Sequence, residues 1–214
     1  MDRCLQVLAE KRIEKTIRNL QKNYMQGFHI HSREELFDKL EELIPAGNSV
    51  SFGGSMTLYE TGVIDYLRSR EDISLIDRDE PGIDRSEVTR RVKAAFTSDV
   101  FLASSNALTE NGELFNVDGR GNRVAAMIFG PESVVLVVGY NKIVANLDEA
   151  ELRMKKIAAP ANTIRLSCET PCTKTGECMD CSSPARICCT YVTMKQQREQ
   201  NRIKVLILDE SLGF

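Results

Sequence analysis

Ser49-Val50-Ser51-Phe52-Gly53-Gly54-Ser55-Met56-Thr57 decides the fold. Four residues with strand character run into two glycines and a serine. A helical pattern of apolar residues follows at Leu58, Tyr59, Val63, Tyr66 and Leu67. The same rhythm repeats downstream. Ile73 to Ile76 reads as a strand, and Asp84-Arg85-Ser86-Glu87 is a capping box opening a helix with Val88, Val92, Ala95 and Phe96. Val100 to Ala103 is a strand again. Val134 to Val138 is apolar at every position, as in a strand buried on both faces. Alternating strands and helices imply crossover connections and a mainly parallel sheet with helices on both faces, an α/β architecture.

Upstream, residues 3–26 show helical periodicity, and Ser32-Arg33-Glu34-Glu35 caps a second helix, giving an expected N-terminal helical pair within residues 1–45. In the middle, Asn111-Gly112 and Asp118-Gly119 are turn dipeptides around Leu114 to Val117. The apolar stretch Val124 to Phe129 follows, and together these predict a small antiparallel insertion. A helix is expected from Asp148 to Ile157, stopped by Pro160, then a polar helix near 190–200 and a last strand at Val205 to Leu208. The expectation is a single α/β domain over 1–214.

Composition excludes several function classes. The chain has 214 residues, of which 42% are hydrophobic and 28% charged, which is globular rather than disordered. A net charge of −3, no Trp and 6% aromatics argue against nucleic-acid binding. No apolar run approaches the ~18 residues of a membrane span, and the charged N-terminal stretch leads us to expect no secretory signal. With seven cysteines, an odd number, the expected compartment is the cytoplasm, with thiols kept reduced.

Four loops carry candidate binding chemistry. Gly53, Gly54, Ser55, Met56 and Thr57 form a strand-to-helix turn whose amides and hydroxyls suit an anion, equally readable as a capped glycine turn. Ser105 and Asn106 follow the Val100 strand and should emerge at the same carboxyl edge, where open α/β sheets bind ligands. Glu110, in the same loop, is a candidate acid, base or nucleophile if buried beside a ligand. Asp118, Gly119 and Arg123 lie in a glycine-rich turn, and an arginine there matches carboxylate or phosphate geometry. Asn141 and Lys142 follow the most apolar strand. The ligand expected at these loops is a small anionic metabolite.

The cysteines supply a second candidate site. Six of the seven fall in residues 168–189 with spacing C-x3-C-x5-C-x2-C-x6-C-C. Cys178 and Cys181 form a C-x-x-C pair, and Cys172 and Cys188 would complete four ligands. The spacing matches neither a zinc ribbon nor a ferredoxin run, so an iron–sulfur cluster, zinc, a redox dithiol and unligated thiols all stay open. His29 and His31 share a face if extended, but they lie just before a capping box and read as loop residues, and without a third ligand nearby they are not expected to bind a metal.

Taken together, the runs Gly54-Ser55-Met56-Thr57, Asn106 to Gly112, Asp118 to Val124, Phe129-Gly130-Pro131 and Val138 to Val144 resemble the lactate-utilisation (LUD domain) family. Pro171-Cys172, Gly176 to Cys181 and Ser183 to Cys188 resemble a cysteine-bearing branch of it. The resemblance spans roughly residues 10–214. It implies a Rossmann-like core similar to ribose-phosphate isomerases, glucosamine-phosphate deaminases and CoA-transferases. It also implies an accessory or redox role in organic-acid utilisation, alongside an iron–sulfur redox partner; an oligomer is allowed. Glu110-Asn111-Gly112 resembles the catalytic loop of class I CoA-transferases. The alternative implied is therefore an enzyme acting on a phosphorylated or CoA-linked small molecule. The paired domains of such transferases and a separate ferredoxin domain are not expected here.

Overall fold

A computed structural model describes residues 3–214. Six parallel strands form the main sheet: β1 (Gln26–Ile30), β2 (Ser49–Phe52), β3 (Ser74–Ile76), β4 (Val100–Ala103), β7 (Ser133–Gly139) and β10 (Ile203–Leu208). Their spatial order is β1-β10-β7-β4-β2-β3. Strand β7 lies inside the sheet, paired in register with β10 (Val134 with Ile203) and β4 (Val134 with Phe101). Its side chains alternate between two cores. Val134, Leu136 and Val138 enter one, which includes Ile13 and Leu20 of helix α1 (Arg3–Lys22). Val135 and Val137 enter the other, with Leu36 and Leu40 of α2 (Arg33–Leu43) and Leu58 of α3 (Met56–Glu60). Burying each such side chain stabilises by about 1.5–3 kcal/mol, so β7 alone outweighs any single helix cap.

A second sheet, in the order β8-β5-β6-β9, joins β5 (Ala107–Thr109), β6 (Leu114–Asp118), β8 (Ile143–Val144) and β9 (Thr190–Met194). Strands β5 and β6 form the antiparallel hairpin expected around Asn111-Gly112, and β9 extends it antiparallel. A third small core packs Phe115 and Val144 against Ala150 and Met154, carried by α7 (Leu147–Arg153) and the turn after it.

Several local expectations are corrected. The N-terminal helices do not pair directly, because β1 lies between them and is an edge strand of the main sheet. The helix after the glycine loop is two, α3 and α4 (Val63–Ser69), parted at Gly62, whose φ of 78° no helix interior holds. Residues 122–128 form helix α6 rather than a strand. The Asp118 carboxylate accepts the backbone N–H groups of Arg123 and Val124, and buried Arg202 donates to the carbonyls of Ala126 and Met127 at the other end. Pro160 does not stop the helix. A π turn at Met154–Ala158 precedes α8 (Ala159–Arg165) and shifts the hydrogen-bond register where proline offers no N–H. Residues 190–194 are strand β9, paired along β6 from Leu114 to Asp118.

Candidate functional site

Strands β7, β4 and β2 are consecutive in the sheet, so the loops at their carboxyl ends meet. With the β6–α6 turn they surround a cavity of about 270 Å³. Nine of the residues expected to bind a ligand line it: Gly54, Ser55, Met56, Ser105, Asn106, Asp118, Gly119, Arg123 and Lys142. The other three lie behind the wall. Gly53 backs Arg123, whose Cγ would stand 3.0 Å from any Cβ there. Thr57 is buried and accepts a hydrogen bond from Lys142. Asn141 holds the C-terminal segment, accepting Leu212 N–H at 3.1 Å. Ser55 caps α3 by accepting Leu58 N–H at 3.4 Å, so its hydroxyl is partly committed.

Charge around the cavity is strongly one-sided. Arg78, Arg120, Arg123, Arg165 and Lys142 line it, against the single acidic side chain of Asp118. The cations divide by role. Arg123 is saturated: it pairs with Asp118 at 2.8 Å and donates to Ser104 O, Asn116 Oδ1, Asn106 Oδ1 and Val117 O. It therefore ties the loops together. Arg153, buried and outside the lining, does the same by donating to Asn141 O and Asn106 O, and burial lowers its pKa to about 10. Arg78 differs. Its Nε is buried without a hydrogen-bond partner, and although Asp79 Oδ1 lies 3.4 Å away the alignment is poor.

Lys142 is 2% exposed. Its Nζ donates to Thr57 Oγ1 and Ser104 Oγ, both at 2.9 Å, and no carboxylate pairs with it among the described residues. Burial first, then the positive charges of Arg153 and Arg123, push its pKa down to about 7, opposed by Glu60. An ammonium has three donors, so one remains for a ligand.

Glu110 is corrected. It does not line the cavity but sits 2.8 Å from Arg12 Nε and 2.7 Å from Lys15 Nζ on α1. The Lys15 hydrogen bond, followed by Arg12, lowers its pKa despite burial, opposite to the raised value a working acid needs. The whole triplet docks α1: Asn19 Nδ2 donates to Glu110 O, and Asn23 Nδ2 to Asn111 O and Gly112 O.

The cysteine sulfurs are not gathered around the position of a single ion. Among the described residues, no three of them lie within 4.8 Å of one another. Cys172 Sγ is buried between the hydroxyls of Thr170 at 3.2 Å and Thr163 at 3.4 Å. Cys188 is raised in pKa by burial, offset by Arg186, with Cys178 and Cys181 close enough to add to the rise. Arg186 draws the segment together, donating to Cys181 O at 2.6 Å and Cys188 O at 2.9 Å. As placed, Cys172, Cys178, Cys181 and Cys188 do not fit a four-thiolate zinc centre, whose sulfurs all stand ≈ 2.3 Å from one ion.

Sequence reasoning missed Arg78, Arg165 and Phe214, while Arg120 lies in the glycine-rich turn it did single out. Arg78 was within reach of the carboxyl-edge rule, since it follows β3 by two residues. Arg165 comes from α8, and no local signal aims a helix residue at a distant cavity.

The fold and this cavity define an α/β protein with a strongly cationic site at the carboxyl edge of a parallel sheet. The chain belongs to the LUD domain family, whose model matches residues 13–208. No curated protein matches it. The crystal structure of a DUF162 family protein from Deinococcus radiodurans shares the fold. It is 14% identical, with a TM-score of 0.50 covering 95% of this chain and 97% of that one. Among the described residues no helix is long and apolar enough to cross a membrane.

Proposed function

We propose that this chain binds a small organic acid in the cavity and serves as an accessory protein of lactate or related organic-acid utilisation. One observation carries the reading: five basic side chains against one acidic side chain around a partly open cavity, with Lys142 buried and lacking an acidic partner. The volume falls just under the ~300–1,000 Å³ of drug-sized pockets, which suits a metabolite of a few carbons better than a nucleotide. In this reading Lys142 and Arg78 meet the anion while Arg123 and Arg153 hold the loops. A redox partner protein and a soft metal or cluster at Cys178, Cys181 and Cys188 belong to the same proposal. The second reading, an enzyme acting on a phosphorylated or CoA-linked compound, is favoured only by the near-neutral pKa of Lys142, and its acid or base would then be Lys142 rather than Glu110.

Titration calorimetry with L-lactate, pyruvate and inorganic phosphate tests the proposal. A charge-assisted hydrogen bond contributes about 1.5–3 kcal/mol, so Lys142→Met should weaken binding by roughly tenfold to a hundredfold. Absence of binding by all three anions, or an unchanged affinity in Lys142→Met, overturns it.

A further inference from the structure

We propose that His29, His31 and Asp209 form a site for one divalent transition-metal ion of the zinc type, separate from the cavity. The two histidines lie two apart at the end of β1, and alternate residues of an extended chain face the same way. The third donor comes from 178 residues further along the chain. Strands β1 and β10 pair in register with Ile30 against Leu208, so His31 and Asp209 leave the sheet side by side. His29 Nε2 stands 2.6 Å from Asp209 Oδ1, and His31 Nδ1 stands 3.0 Å from Oδ2. One ligand atom from each residue lies within 4.8 Å of the other two, and no other group of three such side chains does so among the described residues.

The surroundings favour an ion over a simple ion pair. No lysine or arginine pairs with Asp209 among the described residues, and the nearby Arg33 pairs with Glu210 instead at 3.1 Å. The carboxylate is thus shared only by two imidazoles whose ring centres are 4.0 Å apart. Two imidazoles and one carboxylate offer a metal ion three donor atoms, one of them negatively charged. A ring nitrogen ligates only once its own proton has gone, to the other ring nitrogen or to solvent, so binding needs no oxidant. The backbone N–H of His31 donates to Glu35 Oε2 at 2.8 Å, which fixes the turn. Side-chain exposures of 16% for His29, 29% for Asp209 and 61% for His31 leave one side open, where water completes the coordination. Imidazole and carboxylate donors suit zinc, nickel, cobalt or iron(II), and they disfavour copper(I) and calcium.

The chain has only two histidines, which makes the test specific. Untagged protein labelled with nitrogen-15 in histidine is stripped with chelator and titrated with zinc into several-fold excess. Both rings should shift together with one equivalent of zinc, whatever the thiols take up. Asp209→Asn should require at least about tenfold more zinc for the same shift, the loss seen when even supporting groups of metal ligands are removed. If the two rings do not shift together, or if Asp209→Asn responds at the same zinc concentration, the proposal is wrong.

Discussion

Gly112 stands at φ 76°, and a Cβ there would lie 2.6 Å from the backbone of Asn19 and Leu20 in α1. Backbone cannot retreat as a flexible side chain can, and the left-handed conformation is itself strained for any side chain. Gly112→Ala should therefore lose about 1–3 kcal/mol from conformation alone, before any displacement of α1. An unchanged urea midpoint would sink this account of the triplet. Glu110→Gln should leave anion affinity in the cavity intact while weakening the α1 contact. The sign of its pH dependence follows from a lowered pKa. The stabilisation is present above the unfolded carboxylate range and lost as pH falls through the lower folded value. What resembled a catalytic loop in sequence is, in this chain, where a helix is fastened.

Whole elements were legible where their own residues decide them. Strands β3, β4, β7 and β10 carry short apolar runs, β2 alternates serine with apolar residues, and the caps at Ser32 and Asp84 accept the N–H groups of Glu35 and Glu87 as their spacing implies. The misread elements depend on distant partners. Helix α6 is secured by Asp118 and by Arg202, the latter about 75 residues away. Strand β9 is exposed on alternate residues and is defined by pairing with β6. The cavity was legible through the carboxyl-edge rule, but its α8 wall was not. The cysteine segment shows the same limit, because spacing gives the thiols without their directions. A metal there should engage Cys178, Cys181 and Cys188, while Cys172 stays between Thr163 and Thr170. Iron or zinc measured in anaerobically prepared protein should fall by at least about one equivalent in Cys178→Ser and hold in Cys172→Ser, since thiolates are the ligands that soft metals select. Equal metal content in wild type and Cys178→Ser would remove the thiols from the proposal.

At the scale of the molecule, the strand order forces Lys142 into a place where its charge is costly. It follows the central strand, is covered by the C-terminal segment near Gly213, and shares the region with Arg123 and Arg153. Lowering its pKa from 10.5 to about 7 represents several kcal/mol at about 1.4 kcal/mol per unit. Below pH about 7 the lysine is charged in both folded and unfolded chains, and the full penalty applies. Between about 7 and about 10 the unfolded chain holds the extra proton, so this lysine's contribution to stability rises with pH. Lys142→Met removes the titrating group. It also leaves Thr57 and Ser104 without their donor, a loss that does not vary with pH. The slope is therefore the informative quantity. The stability of Lys142→Met relative to wild type should be highest near pH about 6 and should decline toward pH about 9.5. Urea denaturation of both proteins across that range measures it. A bound anion should flatten the slope, because a negative charge in the cavity restores the ammonium and raises its pKa. A stability difference that stays constant with pH would show that the lysine keeps its ordinary pKa, and the reading of Lys142 as an acid or base would lose its only support.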